Sequence, residues 1–289
     1  MTSIEVQPDI RSMKSASGTT PWALNRLPPF PPVAMRLIQM FANPDIDITE
    51  IGRIIAVEPV FAARVLQLAN SPLFATRAEV KSLSHAVIML GLNRVKAITI
   101  TRAMADYVAP ALKNEALQVC WKNSLAAAIV SEKLARACKM DPDFAYLAGL
   151  IRDIGRLALL VKYPEAYADL IAVTEENSFD LLTVEHDLFE VDHCQAGTWL
   201  LDQSSFPAEL RDVVAWHHEA LGANPFRMVN LVHVADLMTD TLGFPVIEHT
   251  ERRSFESLLE MLPEGARARF PDDAEALADE IGERILNWQ

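Results

Sequence analysis

Glycine is scarce in this chain, with 10 among 289 residues, and no two lie closer than Gly149 and Gly155, six positions apart. A dinucleotide fingerprint needs glycines two and three apart. A phosphate-cradling loop needs a pair five apart ahead of lysine, because backbone must approach phosphate without a Cβ in the way. Neither motif can be placed anywhere. Cysteine is scarcer still: Cys120, Cys138 and Cys194 are widely spaced and form no CxxC pair. The first fifteen residues also lack the apolar run of a secretory signal. The expectation is a reduced, cytoplasmic protein whose thiols pack as small hydrophobes. Basic charge is in deficit, with 26 Lys and Arg against 39 Asp and Glu and a formal net charge of −13. That balance argues against a surface gripping nucleic acid or an anionic membrane. No apolar run approaches the roughly 18 residues of a membrane span.

What the chain does have is helical periodicity. Apolar residues recur at helical spacing through Pro31 to Phe41 and through Asp47 to Ala56, and Pro59 is placed to open a further helix that stops at Asn70-Ser71-Pro72. Segments 82–90 and 94–107 follow around Gly91. Beyond Pro110 the pattern predicts helices near 112–138, 142–160, 164–176, 180–185, 192–202, 207–219 and 225–240, then two amphipathic candidates in a charged tail. Alternation suited to strands rarely lasts more than four residues. The expected class is all-α, an N-terminal bundle packed on a second helical domain. The expected division is a flexible stretch over 1–19, a bundle over 20–108, a second helical domain over 109–245 and a helical extension over 246–289.

Chemistry-bearing residues gather in the second half. Ala148 to Leu157 places Arg152-Asp153 within an apolar helix, and a carboxylate there needs a metal, an arginine or backbone donors to satisfy it. His193, the pair His217-His218 and Asp236 follow on separate segments. Imidazoles and carboxylates converging from different helices are what a di-metal site requires, although each alone is as well explained by ordinary packing. No Ser, Cys or Lys shows an identifiable neighbouring base, so covalent catalysis has no support in the sequence. Segment Ile48 to Asn70 has the outline of a DNA-reading helix-turn-helix, but its second helix carries only Arg64 as a cation. The most basic stretch runs through Arg94, Lys96 and Arg102, a solvated helix face or a docking surface for an acidic partner.

Several blocks, in order, resemble the HDOD domain, a relative of HD-type metal phosphohydrolases. They are Leu27 to Ala34, Glu58 to Ser71, Ser82 to Gly91, Trp121 to Ser124 and Gly149 to Leu157, within a span of roughly 20–240. The resemblance implies an all-α bacterial regulatory domain, with 109–245 as a degenerate HD-like unit. It also allows a residue-by-residue test. Metal-active relatives carry His where this chain has Asn123, and His-Asp where it reads Arg152-Asp153. His193, His217, His218 and Asp236 match later positions of the cyclic-dinucleotide phosphodiesterase branch. Asn is a poor donor for a transition metal, and Arg sets a permanent cation where a divalent ion would sit.

The resulting expectation is a non-catalytic signalling protein that binds a protein partner or a small nucleotide. No cofactor or metal is expected, with Asp153, His193, His217, His218 and Asp236 as vestigial ligands and Asn123 and Arg152 as the substituted positions. Arg94, Lys96 and Arg102 are the partner-binding candidates. A metal-dependent phosphohydrolase acting on nucleotides or cyclic dinucleotides, and a DNA-binding regulator, are the alternatives.

Overall fold

The structure, a computed structural model, describes residues 20–29, 55, 59–70, 79–203, 206–219, 222, 225–248 and 253–286. Apart from Ile55, which is helical and buried, the helices expected at 31–41 and 47–56 fall outside those residues. The first helices are α1 (Pro59–Ala69), α2 (Leu83–Leu90) and α3 (Leu92–Val108). They are followed by α4 (Glu115–Cys138), α5 (Pro142–Ile151), α6 (Ile154–Lys162), α7 (Pro164–Asn177) and α8 (Leu181–Phe189). The chain continues through α9 (His193–Asp202), α10 (Ala208–Trp216) and α11 (Met228–Thr241), and ends in α12 (Phe255–Leu259), α13 (Glu264–Arg267) and α14 (Ala274–Leu286). No strand occurs among the described residues, and the class is all-α, as the periodicity predicts. No helix among them is long and apolar enough to cross a membrane.

Local chemistry sets most boundaries. Asn114, Asp141, Asp180 and Asp192 cap α4, α5, α8 and α9 through their side chains, and Pro142 and Pro164 occupy first-turn positions where their missing N–H costs nothing. One difference from the sequence pattern matters. The single helix expected over 142–160 breaks at Arg152-Asp153, where a turn separates α5 from α6.

The long α4 is the spine, with α5, α6, α7, α11, α13 and α14 packed around it. Its run of small residues lets α5 approach so closely that a Cβ on Gly149 would lie 2.7 Å from the Ala127 carbonyl oxygen. A tighter crossing joins α6 to α9. A Cβ on Gly155 would lie 2.0 Å from the His193 carbonyl oxygen and 2.4 Å from the Gly197 nitrogen. Gly197 in turn has Val214 of α10 directly over its Cα. These glycines are used for backbone contact between helices, and they bring the start of α9 over the α5–α6 turn. Residues 23–27 pack onto the same hydrophobic core, and the Tyr107 and Tyr163 hydroxyls donate to the Pro28 and Ala23 carbonyls.

Candidate functional site

Asp153 stands at the N-cap position of α6 but does not cap it; its carboxylate turns inward instead. The two oxygens face different chemistry. Oδ2 takes the guanidinium groups of Arg152 at 3.1 Å and Arg156 at 3.3 Å. Oδ1 faces the Nε2 atoms of His193 and His217, each at 3.2 Å. The carboxylate therefore divides the site into an arginine pole and an imidazole pole.

At the arginine pole Arg152 is fully buried, and every part of its fork is used. Nε donates to Asp236 Oδ1 of α11 at 2.8 Å, Nη1 to the Gly149 carbonyl at 3.1 Å, and Nη2 to Asn123 Oδ1 of α4. Nη2 also lies 2.7 Å from Asp236 Oδ1. Asn123 is oriented by its own amide, which donates to the Phe244 carbonyl at 2.8 Å. One guanidinium thus ties α4, α5 and α11 together while pairing with two carboxylates.

The imidazole pole is built by α8, α9 and α10. His193 opens α9, and its backbone N–H and its Nδ1 both lie 2.7 Å from Glu185 Oε2. Glu185, buried on α8, accepts on its other oxygen from the Tyr167 hydroxyl of α7. His217 follows the last turn of α10, and its Nδ1 faces the Val213 and Val214 carbonyls, both at 3.2 Å, where a ring N–H meets the negative end of the helix. His218 reaches in from the rim with Nε2 3.0 Å from His193 Nε2, while its Nδ1 lies 3.6 Å from Asp236 Oδ2. Arg156 Nη2 stands 3.2 Å from His193 Nε2. Cys194 Sγ lies 4.0 Å from His217 Nδ1, and one donor atom from each of His193, Cys194, His217 and His218 falls within 4.8 Å of the others.

Burial opposes every charge here, and at Asp153, Asp236 and His217 the partners override it. Burial pushes Asp153 up, but Arg152 and Arg156 hold it well below the usual carboxylate range. Asp236, desolvated in the same way, is drawn down to about 2, chiefly by Arg152. For His217 burial favours the neutral ring, yet Cys194 and the Asp153 hydrogen bond raise it to about 9. His218 goes the other way, lowered by burial and by His217 beside it. Asp240, one turn beyond Asp236, is pushed up to about 7 by burial and by its neighbour's negative charge.

Asp153, His193, His217, His218, Asp236, Asn123 and Arg152, singled out in the sequence, all come together in this one site. Arg94, Lys96 and Arg102 lie apart from it on α3. Arg94 is exposed, and Arg102 is paired with Asp106 one turn on. The sequence pattern did not single out Glu185 or Tyr167, nor the Cys194–His217 neighbourhood. Glu185 left one signal: Leu181, Glu185 and Phe189 share a helix face, so an acid interrupts an apolar stripe.

The HDOD domain family model matches residues 27–220. Among solved structures, an HDOD domain protein of unknown function from Geobacter sulfurreducens superposes with a TM-score of 0.70 at 25% identity, covering 91% of each chain. A candidate phosphohydrolase from Shewanella amazonensis gives 0.66 at 22%, covering 91% of this chain and 94% of its own. A candidate signal transduction protein from Marinobacter aquaeolei gives 0.64 at 20%, over 92% and 58%. An uncharacterized protein of Treponema pallidum (strain Nichols) is 21% identical over 197 residues, which is 68% of this chain and 38% of that relative.

Proposed function

Because this chain belongs to the HDOD domain family, we propose that it is a non-catalytic, cytoplasmic component of signal transduction, acting by binding a protein partner or a small nucleotide ligand. The observation that carries this reading is the seat of Arg152. HD-type hydrolysis uses divalent metal held by histidine and aspartate, and here a guanidinium lies between Asn123, Asp153 and Asp236 with all of its hydrogen bonds made inward. A divalent ion beside Asp236 would meet that fixed cation a few ångströms away, and Asn123 offers only a neutral oxygen already engaged with Arg152. The residues at this pole do not fit a metal ion, so a metal pair cannot form across Asp153 and Asp236 without displacing the arginine.

The reading is tested by assaying purified protein, loaded in turn with Mn²⁺, Fe²⁺ and Zn²⁺, against nucleoside phosphates and cyclic dinucleotides. Turnover no faster than the buffer control is expected; metal-dependent hydrolysis abolished in Asp153→Asn would overturn it. Capture of partners with wild-type bait and with an Arg94→Ala/Arg102→Ala bait tests the basic face of α3. Identical partners on both baits remove that face as the docking surface.

A further inference from the structure

The buried cluster is tied to the surface by a run of aromatic rings that starts outside the helices. Residues 20–29 lie across the end of α3, the start of α7 and the end of α8, with one short turn at Leu24–Arg26. Ala23, Leu24 and Leu27 are buried, and the Tyr163 and Tyr107 hydroxyls donate to the Ala23 and Pro28 carbonyls at 3.3 and 3.1 Å. Trp22 stays 42% exposed. Its ring meets Tyr163 edge-on at a centroid distance of 5.3 Å and lies 6.1 Å from Phe189. Phe189 is buried, stacked on Tyr163 at 5.5 Å and on Tyr167 at 5.9 Å. Ring pairs of this kind are directional, so the position of one ring constrains the next.

Two routes lead from Phe189 to His193. Through space, Glu185 sits one turn before Phe189 on the same buried face of α8 and accepts from the hydroxyl of Tyr167, the ring on which Phe189 stacks. Glu185 Oε2 then lies 2.7 Å from both the backbone nitrogen and Nδ1 of His193. Along the chain, Glu190 follows Phe189 at φ 62°, a left-handed conformation held between the buried side chains of Phe189 and Val191. Among the helices α8 packs chiefly on α7, so the contact of Trp22 with its last turn is a support apart from that pairing. We propose that residues 20–27 are a strap whose seating governs the buried cluster. With Trp22 down, Phe189 is held in place and Glu185 is kept against His193. With Trp22 lifted, the end of α8 moves and Glu185 lets go of the His193 backbone and ring. Lifting the strap is a local opening that unwinds no core helix, so it costs less than global unfolding. Anything that takes up the exposed edge of the indole acts on the cluster from outside, without entering it. The proposal concerns how the cluster is held and does not rest on the non-catalytic reading.

The test is amide hydrogen exchange, followed by mass spectrometry, on the full-length protein and its Trp22→Ala, Trp22→Phe and Tyr163→Phe variants. In Trp22→Ala the peptide covering residues 190–195, which holds the His193 N–H, is expected to exchange at least about tenfold faster, while α4 and α5 exchange as in wild type. Trp22→Phe keeps a ring in the seat and should restore most of the protection. Tyr163→Phe keeps its ring but loses the bond to Ala23, and should give a smaller acceleration in the same peptide. Unchanged exchange over 190–195 in folded Trp22→Ala would overturn the coupling, including the case where only residues 20–29 exchange faster. Equal acceleration in every helix would overturn it too, because that marks a loss of global stability instead of a release of α8.

Discussion

At the scale of single residues, Arg152 is the side chain whose loss costs most. Its removal strands Asp236 and one side of Asp153 in a buried setting and leaves the Asn123 oxygen unpaired. Arg152→Ala is expected to lower unfolding stability by about 3–5 kcal/mol, the usual cost of breaking one side of a buried ion pair. Arg152→Lys should recover only part of it, because an ammonium cannot reach Asp236, Asn123 and Gly149 together. Urea unfolding of both variants checks this, and a loss near zero for the alanine variant would show that the cluster rearranges freely. The site should also have a pH signature. The folded value of His217 is raised to about 9. Its contribution, up to about 3 kcal/mol, is therefore complete below pH ~6.5 and lost as pH rises through 9. The folded value of Asp236 is depressed, so its share is present above pH ~3.8 and lost as pH falls towards 2. These two groups together favour the window between about pH 4 and 6.5, and His217→Gln should flatten the alkaline limb. An unchanged alkaline limb in that variant would mean another group carries it. Arg152 beside Asp153 was readable in the sequence because the two are adjacent. Glu185 was not, because its partners Tyr167 and His193 lie on other helices and nothing local distinguishes it from a surface acid except the stripe it interrupts.

At the scale of elements, the break between α5 and α6 makes the site. A continuous helix would put Arg152 and Asp153 about 100° apart on its surface; the turn lets both side chains enter the same interior. Periodicity missed this break because the apolar pattern runs through it without proline. Gly155, which follows the turn, is used for close approach to α9. Most other boundaries were legible because proline and Asn or Asp caps mark them in the sequence. Gly155→Ala forces a methyl group into the His193 carbonyl and should push α9 away from α6, carrying His193 off Asp153. A loss of about 3 kcal/mol or more is expected, at the upper end for overpacking and backed here by backbone rather than a yielding side chain. A thermal melt within two degrees of wild type would show that the crossing has slack.

At the scale of the whole molecule, the sequence suggested a boundary at 108/109, yet side chains from both sides of it contribute to one hydrophobic cluster, and α3 packs on α5. Limited proteolysis decides the matter. Separable units should yield a first cut between about 109 and 114, where a short turn joins α3 to α4, followed by a resistant fragment from α4 onward. Cutting elsewhere first, or cooperative loss of both halves, would merge them into one unit. The ion cluster also bears on the order in which the molecule is assembled. Its members come from α4, α5, α6, α8, α9, α10 and α11, and the carboxylates of Asp236 and Glu185 find their partners only on other helices. A partly folded chain that closed this region early would trap a bare charge, so water must stay until the last of these helices arrives. The cluster acts in time as a checkpoint: the interior dries only once the whole set is correctly paired, and on the way out the first helix to leave readmits water to all the others.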